Sequence, residues 1–162
     1  MRSVSYNYIQ RLLLLVVFVA AWTYSWAQQV QITDEQGNKI NYTIGADTAV
    51  VSSVSFANSE NGESEIVIAD EVTYNSVVYP VKAIGSQAFY NKTQLGKVTI
   101  GSNVKYINPY AFSNCSYLKE VNMRGSVEHI RDYAFNACSE MQSIDLTGVK
   151  SIAPYALSSP AL

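Results

Sequence analysis

The sequence predicts a repeat solenoid, in which rungs of about 23 residues supply parallel strands and short helical turns. Two observations predict it. The apolar positions of residues 104–126 recur 23 residues earlier and 23 residues later, and a shorter fourth copy begins at Val149. Seven of eight slots match by class between the first two copies, and all eight match between the second and third. One rung cannot bury its apolar face alone, so the copies must stack.

Each copy contains the same order of structural signals. Residues 118–123 alternate like a half-buried strand, with Val121 and Met123 inward and the residues between them outward. A second short extended segment follows at 127–130. After it, Ala134-Phe135 with apolar residues three or four positions on predicts one or two helical turns. The eight slots of the middle copy are Val104, Ile107, Ala111, Phe112, Cys115, Leu118, Val121 and Met123.

This unit resembles the BspA-like leucine-rich repeats of bacterial surface proteins, which read roughly I-x-x-x-A-F-x-x-C-x-x-L-x-x-V-x-I-P-x-x-V. The resemblance covers about residues 64–162 and is specific because of the Ala-Phe-x-x-Cys spacing. It implies a right-handed leucine-rich repeat solenoid and a non-enzymatic protein that adheres to host or bacterial partners. The chain departs from the pattern at five positions, which are Gly101, Arg124 and Thr147 in place of Pro, Lys92 in place of Cys, and Leu157 in place of Phe.

Residues 1–27 are predicted to be a signal peptide. Arg2 and Arg11 supply positive charge, residues 12–22 form an apolar run, and Ser25-Trp26-Ala27 fits a cleavage site. The run is shorter than the roughly 17–25 residues of a membrane span. An uncleaved anchor is the alternative. We therefore expect an exported protein, secreted or at the cell surface or in the periplasm, with no membrane span after cleavage.

The rest of the chain divides into two predicted parts. Residues 28–80 form a β-rich N-terminal cap with a partial first rung, and residues 81–162 form three full repeats and a partial fourth. The insertion at 73–80 is predicted to be a small hairpin. A solenoid needs such a cap because its terminal rung otherwise exposes apolar core and a strand edge.

Charge and composition exclude several functions. Residues 28–80 carry eight acidic residues against Lys39, a net charge of −7, whereas residues 81–162 have a net charge of +3. The basic excess is spread thinly, so no nucleic-acid partner is predicted. One histidine and two cysteines without a Cys-x-x-Cys motif match no common zinc pattern. No cofactor or metal is predicted.

The residues that could act in catalysis are predicted to have structural or surface roles, which favours a protein without enzymatic activity. Cys115 and Cys138 occupy the same slot one rung apart, and we expect buried thiols rather than a disulfide, which remains the alternative. His129 is predicted to be an ordinary surface residue, because no nucleophile is placed beside it and no Gly-x-Ser-x-Gly elbow exists. Glu120 and Asp145 are predicted to be solvated charges rather than a glycosidase pair.

Two groups of residues are candidates for binding. The first is the outward row of the first sheet, which is polar, mixed in charge and rigidly presented. Its residues are Lys97, Thr99, Glu120, Asn122, Arg124, Ser143 and Asp145. The second is the aromatic ladder of Tyr110, Tyr133 and Tyr155, whose rings either contact a ligand or only pack on one another.

The predicted partner is a protein or glycan at the cell surface. The rival interpretation is a spacer in a larger surface protein, with no ligand of its own. The fourth copy ends before its Leu-x-x-Val-x-Ile strand. An uncapped rung recruits another chain, so we expect either self-association through the C-terminal rung or a longer array.

Overall fold

The computed structural model describes residues 27–58, 60–124 and 127–158. The predicted signal peptide therefore lies outside the described residues, except for Ala27. The described residues form strands and turns without a helix. The strands are β1 (Gln28–Thr33), β2 (Lys39–Ile44), β3 (Ala49–Ser55), β4 (Ser64–Val67), β5 (Glu71–Tyr74), β6 (Val77–Ile84), β7 (Leu95–Thr99), β8 (Tyr106–Ile107), β9 (Glu120–Asn122), β10 (His129–Ile130) and β11 (Ser151–Ile152).

The strands form two sheets. The larger runs β1-β2-β3-β6-β8-β10-β11, with β5 attached to β6, and the smaller runs β4-β7-β9. Pairing is antiparallel among β1, β2 and β3, and between β5 and β6. The other pairs, beginning with β3 and β6, are parallel. The predicted solenoid of parallel rungs is therefore confirmed.

Successive rungs place equivalent residues side by side. Ile84, Ile107, Ile130 and Ile152 are paired in register along the larger sheet, each in the same slot of its rung. The first three are fully buried, but Ile152 is 46% exposed on the last described strand. The register follows from the repeat period, because a slip of one residue would turn every apolar side chain to solvent.

A stack of phenylalanines forms the centre of the core. Phe89, Phe112 and Phe135 are each 0% exposed. The ring of Phe112 stacks on both neighbours, with centroids 4.7 Å from Phe89 at an interplanar angle of 21° and 5.0 Å from Phe135 at 2°. The predicted burial of Phe112 between the other two is confirmed, as is the alternation of Val121 and Met123 inward.

The segments predicted as helical turns are a succession of tighter turns. The amides of Ala111, Ser113 and Cys115 donate to carbonyls three residues earlier. The alternate amides, such as those of Phe112 and Asn114, donate instead to the next rung, at Ala134 and Asn136. Left-handed residues such as Asn114, at φ 62°, recur in each rung. A left-handed residue interrupts an α-helix. The amides that would form helical hydrogen bonds instead form hydrogen bonds between neighbouring rungs.

The N-terminal region combines three antiparallel strands, β1 to β3, with the start of the repeat ladder. The predicted hairpin at 73–80 is confirmed as the β5–β6 pair, whose turn residues Asn75 and Ser76 are left-handed. Strand β3 is parallel to β6, with Val51 in register with Ile84. The ladder thus begins before residue 81, and β6 crosses the predicted boundary at residue 80.

Candidate binding surfaces

The outward row of the smaller sheet is centred on Lys97. In-register pairing places Glu65 and Glu120 on either side of it. The Lys97 Nζ atom lies 3.2 Å from a Glu120 carboxylate oxygen and 3.7 Å from one of Glu65. The hydrogen bond and charge of Glu120, followed by the charge of Glu65, raise the pKa of Lys97. This part of the row is an exposed ladder of alternating charge.

Thr99 was predicted to belong to the exposed row, but the structure buries it. It lies on β7 between Val67 of β4 and Asn122 of β9, and only 7% of it is exposed. A short side chain on a central strand is covered by its longer neighbours on both sides. Val67, 53% exposed, is instead the apolar member of this surface.

Ser143 and Asp145 also differ from the prediction. Both are exposed, but residues 142–146 form no strand, and the smaller sheet ends at β9 within the described residues. The Asp145 carboxylate accepts a hydrogen bond from the Thr147 amide at 2.9 Å, and Gly148 is left-handed. Hydrogen bonding by the Thr147 side chain, and then by its amide, lowers the pKa of Asp145. A local Asx turn competes with strand pairing, so the chain bends away.

The bend leaves a cavity of about 400 Å³ beside β9. It is lined by Glu120, Val121, Asn122, Met123, Arg124, Ser143 and Asp145. Five of the seven predicted row residues therefore surround one cleft rather than extending a flat sheet. Lys97 and Thr99 lie on the neighbouring strand.

The predicted aromatic ladder forms a continuous stack. The rings of Tyr110, Tyr133 and Tyr155 are nearly parallel, with both centroid distances 5.0 Å. Tyr155, at the end of the stack, is 62% exposed. Stacking occupies the ring faces between neighbours and leaves their edges in solvent, so the structure gives these residues a packing role.

Each ladder tyrosine lies at a left-handed position that was not predicted. Tyr110 follows Pro109 in a turn closed by the Ala111 amide and the Asn108 carbonyl, and its φ is 59°. Tyr133 and Tyr155 have φ of 57° and 59°. Such a turn usually has Gly or Asn there. The Pro-Tyr dipeptides at 109–110 and 154–155 could have indicated two of these turns, whereas Tyr133 follows Asp132.

A second aromatic cluster lies on the outer side of the larger sheet. His129 stacks on Tyr106 at 5.1 Å, and the Arg131 guanidinium lies 6.0 Å from the Tyr106 ring centre. His129 Nδ1 and Ser151 Oγ are 2.7 Å apart. The structure thus brings together a serine and a histidine that were not predicted to be neighbours. Their spacing of 22 residues was the available signal.

The His129–Ser151 pair alone is insufficient for nucleophilic catalysis. Such catalysis needs a third group that orients the histidine and donors that stabilise an oxyanion. Among the described residues, the hydrogen bonds of His129 include no carboxylate orienting the ring. The stack on Tyr106 and the hydrogen bond to Ser151 instead hold the three strands of this sheet together.

A second charge ladder runs beside this cluster. Glu128 lies between Lys105, at 3.0 Å, and Lys150, at 2.6 Å. Hydrogen bonds to Lys150 and then Lys105 lower the pKa of Glu128 to about 2. The carboxylate therefore stays ionised over the physiological range and bridges three successive rungs.

The two cysteines are buried thiols, as expected, and no disulfide joins them. Cys115 Sγ donates to the Phe89 carbonyl at 3.0 Å, and Cys138 Sγ donates to the Phe112 carbonyl at 3.2 Å. Burial raises the pKa of both, that of Cys138 to about 12. Because the thiolate is the reactive form, burial keeps both cysteines in the less reactive thiol form.

The described part of the chain contains no group of three or more metal-ligating side chains that could hold a metal ion. None of the described segments is a helix long and apolar enough to cross a membrane.

Comparison with known proteins identifies the repeat. The family described as BspA type leucine rich repeat region matches residues 49–162 in six copies. A search of curated proteins finds no match. The match begins at the first residue of β3, where parallel pairing also begins.

Solved structures share the fold. A leucine-rich repeat protein from Bacteroides capillosus is 26% identical with a TM-score of 0.68, covering 83% of this chain and 94% of that one. One from Bacteroides ovatus is 29% identical with a TM-score of 0.66, covering 84% of this chain and 33% of that one. The chain therefore spans about a third of the latter. A leucine-rich repeat protein of T. pallidum, 21% identical with a TM-score of 0.53, supports the fold alone, covering 64% of this chain and 45% of that one. The family match over more than half of the sequence, on a ladder of parallel rungs, shows that this chain belongs to the BspA-type leucine-rich repeat proteins.

Proposed function

We propose that this protein is an exported, non-enzymatic binding module that contacts a protein or glycan at the cell surface or outside it. The supporting observation is the smaller sheet, which presents Glu65, Lys97 and Glu120 as fixed charges on paired strands. A rigid surface loses little conformational entropy on binding, and charges of alternating sign select a partner of complementary pattern.

The cleft beside β9 extends this surface. Arg124 and Asp145 add one charge of each sign at its rim, and Ser143 adds a hydroxyl. A partner that lies across β7 and β9 reaches both the Lys97 ladder and the cleft. Folded repeat proteins use such an array because each rung adds a further contact in a fixed position.

The test compares two surfaces of one fold. The purified protein is used to capture partners from surface extracts and matrix proteins, and each captured partner is then titrated against variants. Arg124→Glu is expected to weaken binding at least tenfold, because it reverses an exposed charge at the cleft. Its matched control is Tyr110→Ser with Tyr133→Ser, on the other side of the rung.

Lys97 is a poor site for charge reversal, although it is the centre of the surface. Lys97→Glu would place three carboxylates side by side on β4, β7 and β9 and destabilise the sheet. Lys97→Gln removes the charge with less disruption. If the tyrosine variant abolishes binding while the Arg124 and Lys97 variants bind normally, the aromatic side is the binding surface and this proposal is wrong.

The second candidate function is a spacer without a ligand. The close stacking of Tyr110, Tyr133 and Tyr155 favours a spacer, because the ring faces already contact one another and need no ligand. A spacer predicts that no variant on either side changes any interaction. Export is tested separately by fractionating the source cells and sequencing the N-terminus of the exported protein, which is expected to begin near Gln28.

A further inference from the structure

Strand β1 is the terminal strand of the larger sheet, and in the part of the chain that the structure describes its outer edge has no partner strand. The Asp34 amide donates to the Asn38 carbonyl, so the backbone of Asp34 faces β2. The backbone groups of an antiparallel strand face its two sides alternately. The amides and carbonyls of Gln29, Gln31 and Thr33 therefore point away from β2, at the edge.

This edge lacks the features that usually prevent a strand from pairing. Native proteins blunt an exposed edge with proline, a charged side chain or a bulge. Residues 28–33 read Gln-Gln-Val-Gln-Ile-Thr, without proline, glycine or charge, and their register with β2 is unbroken. A short uncharged segment of this kind is typical of strands that pair with copies of themselves.

The two faces of β1 differ in polarity. Val30 and Ile32 are half-buried and pack against the core. On the other face, the Gln31 side chain donates to Asn41 Oδ1 at 2.8 Å, and the Asn41 side chain donates to Ser53 Oγ at 3.0 Å. This polar row follows the in-register pairing of β1, β2 and β3 and ends at Gln31. A partner strand must therefore be apolar on one face and polar on the other.

We propose that β1 pairs antiparallel with β1 of a second copy of this chain, across a twofold axis at Gln31. This register sets Val30 opposite Ile32 of the other copy on the apolar face, and Gln29 opposite Thr33 on the polar face. The outward backbone groups of Gln29, Gln31 and Thr33 all pair. An axis at Val30 or Ile32 would instead set Thr33 or Gln29 opposite residues outside the strand. The interface is closed because each copy contributes the same surface.

The pairing continues both faces of the sheet into the second copy. A glutamine amide has two N–H donors and an acceptor oxygen, so Gln31 can bond to Asn41 of its own copy and to Gln31 of the other. Ladders of such amides stabilise paired strands. On the apolar face, Val30 and Ile32 of the two copies become neighbours and lose exposure to water, which favours association.

Charge opposes this dimer from outside the paired strands. Residues 28–80 have a net charge of −7 in each copy, although β1 itself carries no charged side chain. The two acidic regions therefore repel each other. Because salt screens the repulsion between exposed charges, dimerisation should strengthen as the salt concentration rises.

This interface lies at the opposite end of the larger sheet from β11, where self-association of the C-terminal rung was expected. The inference rests on the proposed function only for export, because cleavage near Gln28 places β1 at the start of the exported chain. The experiments therefore use the exported protein with its N-terminus sequenced. Sequencing reports a failure of export separately from a failure of β1 to pair.

The first experiment traps the twofold axis with a disulfide. Residues facing each other across a hydrogen-bonded antiparallel pair have Cα atoms about 5.5 Å apart, within the disulfide range of about 4.4–6.8 Å. Gln31→Cys should therefore give a covalent dimer on mild oxidation. Ser53→Cys, exposed in the same polar row but two strands from the edge, should not. Both variants retain the two native buried thiols, so the background is matched.

Sedimentation equilibrium tests the same axis with charge. The wild-type protein should dimerise, and Ser53→Lys, the matched control, should dimerise equally. Gln31→Lys and Gln31→Glu each set two like charges opposite each other, which destabilises a sheet, and each should weaken dimerisation at least tenfold. An equal mixture of these two variants should recover most of the loss as a heterodimer, which also shows that both are folded.

Three results would overturn the proposal. The first is a wild-type protein that stays monomeric at millimolar concentration and high salt. The second is equal disulfide trapping at positions 31 and 53. The third is a dimer that neither charge at position 31 weakens, because such a dimer forms through another surface.

Discussion

The ring of Phe112 lies parallel to that of Phe135, with an interplanar angle of 2° and centroids 5.0 Å apart. Both rings are 0% exposed, and their alignment follows from the in-register stacking of two rungs. The relationship shows that the core is shared between rungs, so damage to one rung is transmitted to its neighbours.

Phe112→Ala is therefore expected to destabilise the whole repeat region. Truncating a buried phenylalanine costs about 3–5 kcal/mol, against a total stability of roughly 5–15 kcal/mol. Urea denaturation measures the loss, with exposed Gln142→Ala as control, which should change stability by less than about 0.5 kcal/mol. A fall in Tm of only a degree or two would contradict the assigned core.

Gly96→Ala should also be destabilising, although alanine is only one methyl larger. A Cβ atom at Gly96 would overlap the carbonyl oxygen of Gly62, a backbone atom that no rotamer change can move. Overpacking of this kind costs about 1–3 kcal/mol. Gly45→Ala is the control, because its Cβ would come no closer than 3.3 Å to any neighbour, the Thr48 carbonyl oxygen. Equal stability of the two variants would contradict the close approach of Gly96 to the Gly62 carbonyl.

Ala137→Asn should stabilise the protein. Ala137 is left-handed, with φ of 58°, at the position occupied by Asn91 and Asn114 in the preceding rungs. Asparagine tolerates this conformation better than alanine, so we expect a gain of about 0.5–1 kcal/mol and a rise in Tm of about 1–4 °C. The reciprocal Asn114→Ala should lower Tm. A stabilising Asn114→Ala would refute the backbone argument.

Acid should remove the contribution of the Lys105–Glu128–Lys150 ladder to the free energy of unfolding. The folded pKa of Glu128, about 2, lies below the ordinary value of 4.5. The carboxylate therefore stabilises the fold above about pH 4.5, and this stabilisation is lost as the pH falls toward 2. Glu128→Gln should be less stable than wild type at pH 7 and equally stable near pH 2. Urea midpoints at several pH values measure this difference.

Glu140→Gln provides the comparison for that prediction, because Glu140 contacts a single lysine, Lys119, at 3.6 Å. Its effect at pH 7 should be smaller, since a long exposed ion pair contributes little. A Glu128→Gln difference that stays constant from pH 7 to pH 2 would show that the ladder is not its source.

Much of the candidate surface could be predicted from the repeat alone. The alternation around Val121 placed Glu120, Asn122 and Arg124 outward, and the structure has them exposed. The prediction for Thr99 was wrong, because exposure depends on the neighbours Val67 and Asn122 as well as on the face. The prediction that Ser143 and Asp145 extend the same sheet was also wrong. The Asx turn at Asp145 outweighs the apolar pattern of that segment.

The sequence by itself determined which residues share a slot, because the 23-residue period sets the spacing along the chain and apolar side chains must face inward. The fold, the phenylalanine stack and the buried thiols follow from that period. Only the tertiary structure decided how closely neighbouring rungs approach. That distance places Gly96 against Gly62, joins His129 to Ser151, gives Lys97 two partners and leaves β9 as an edge. These contacts join residues on different rungs, and their geometry depends on turns and backbone packing that hydrophobic periodicity does not encode.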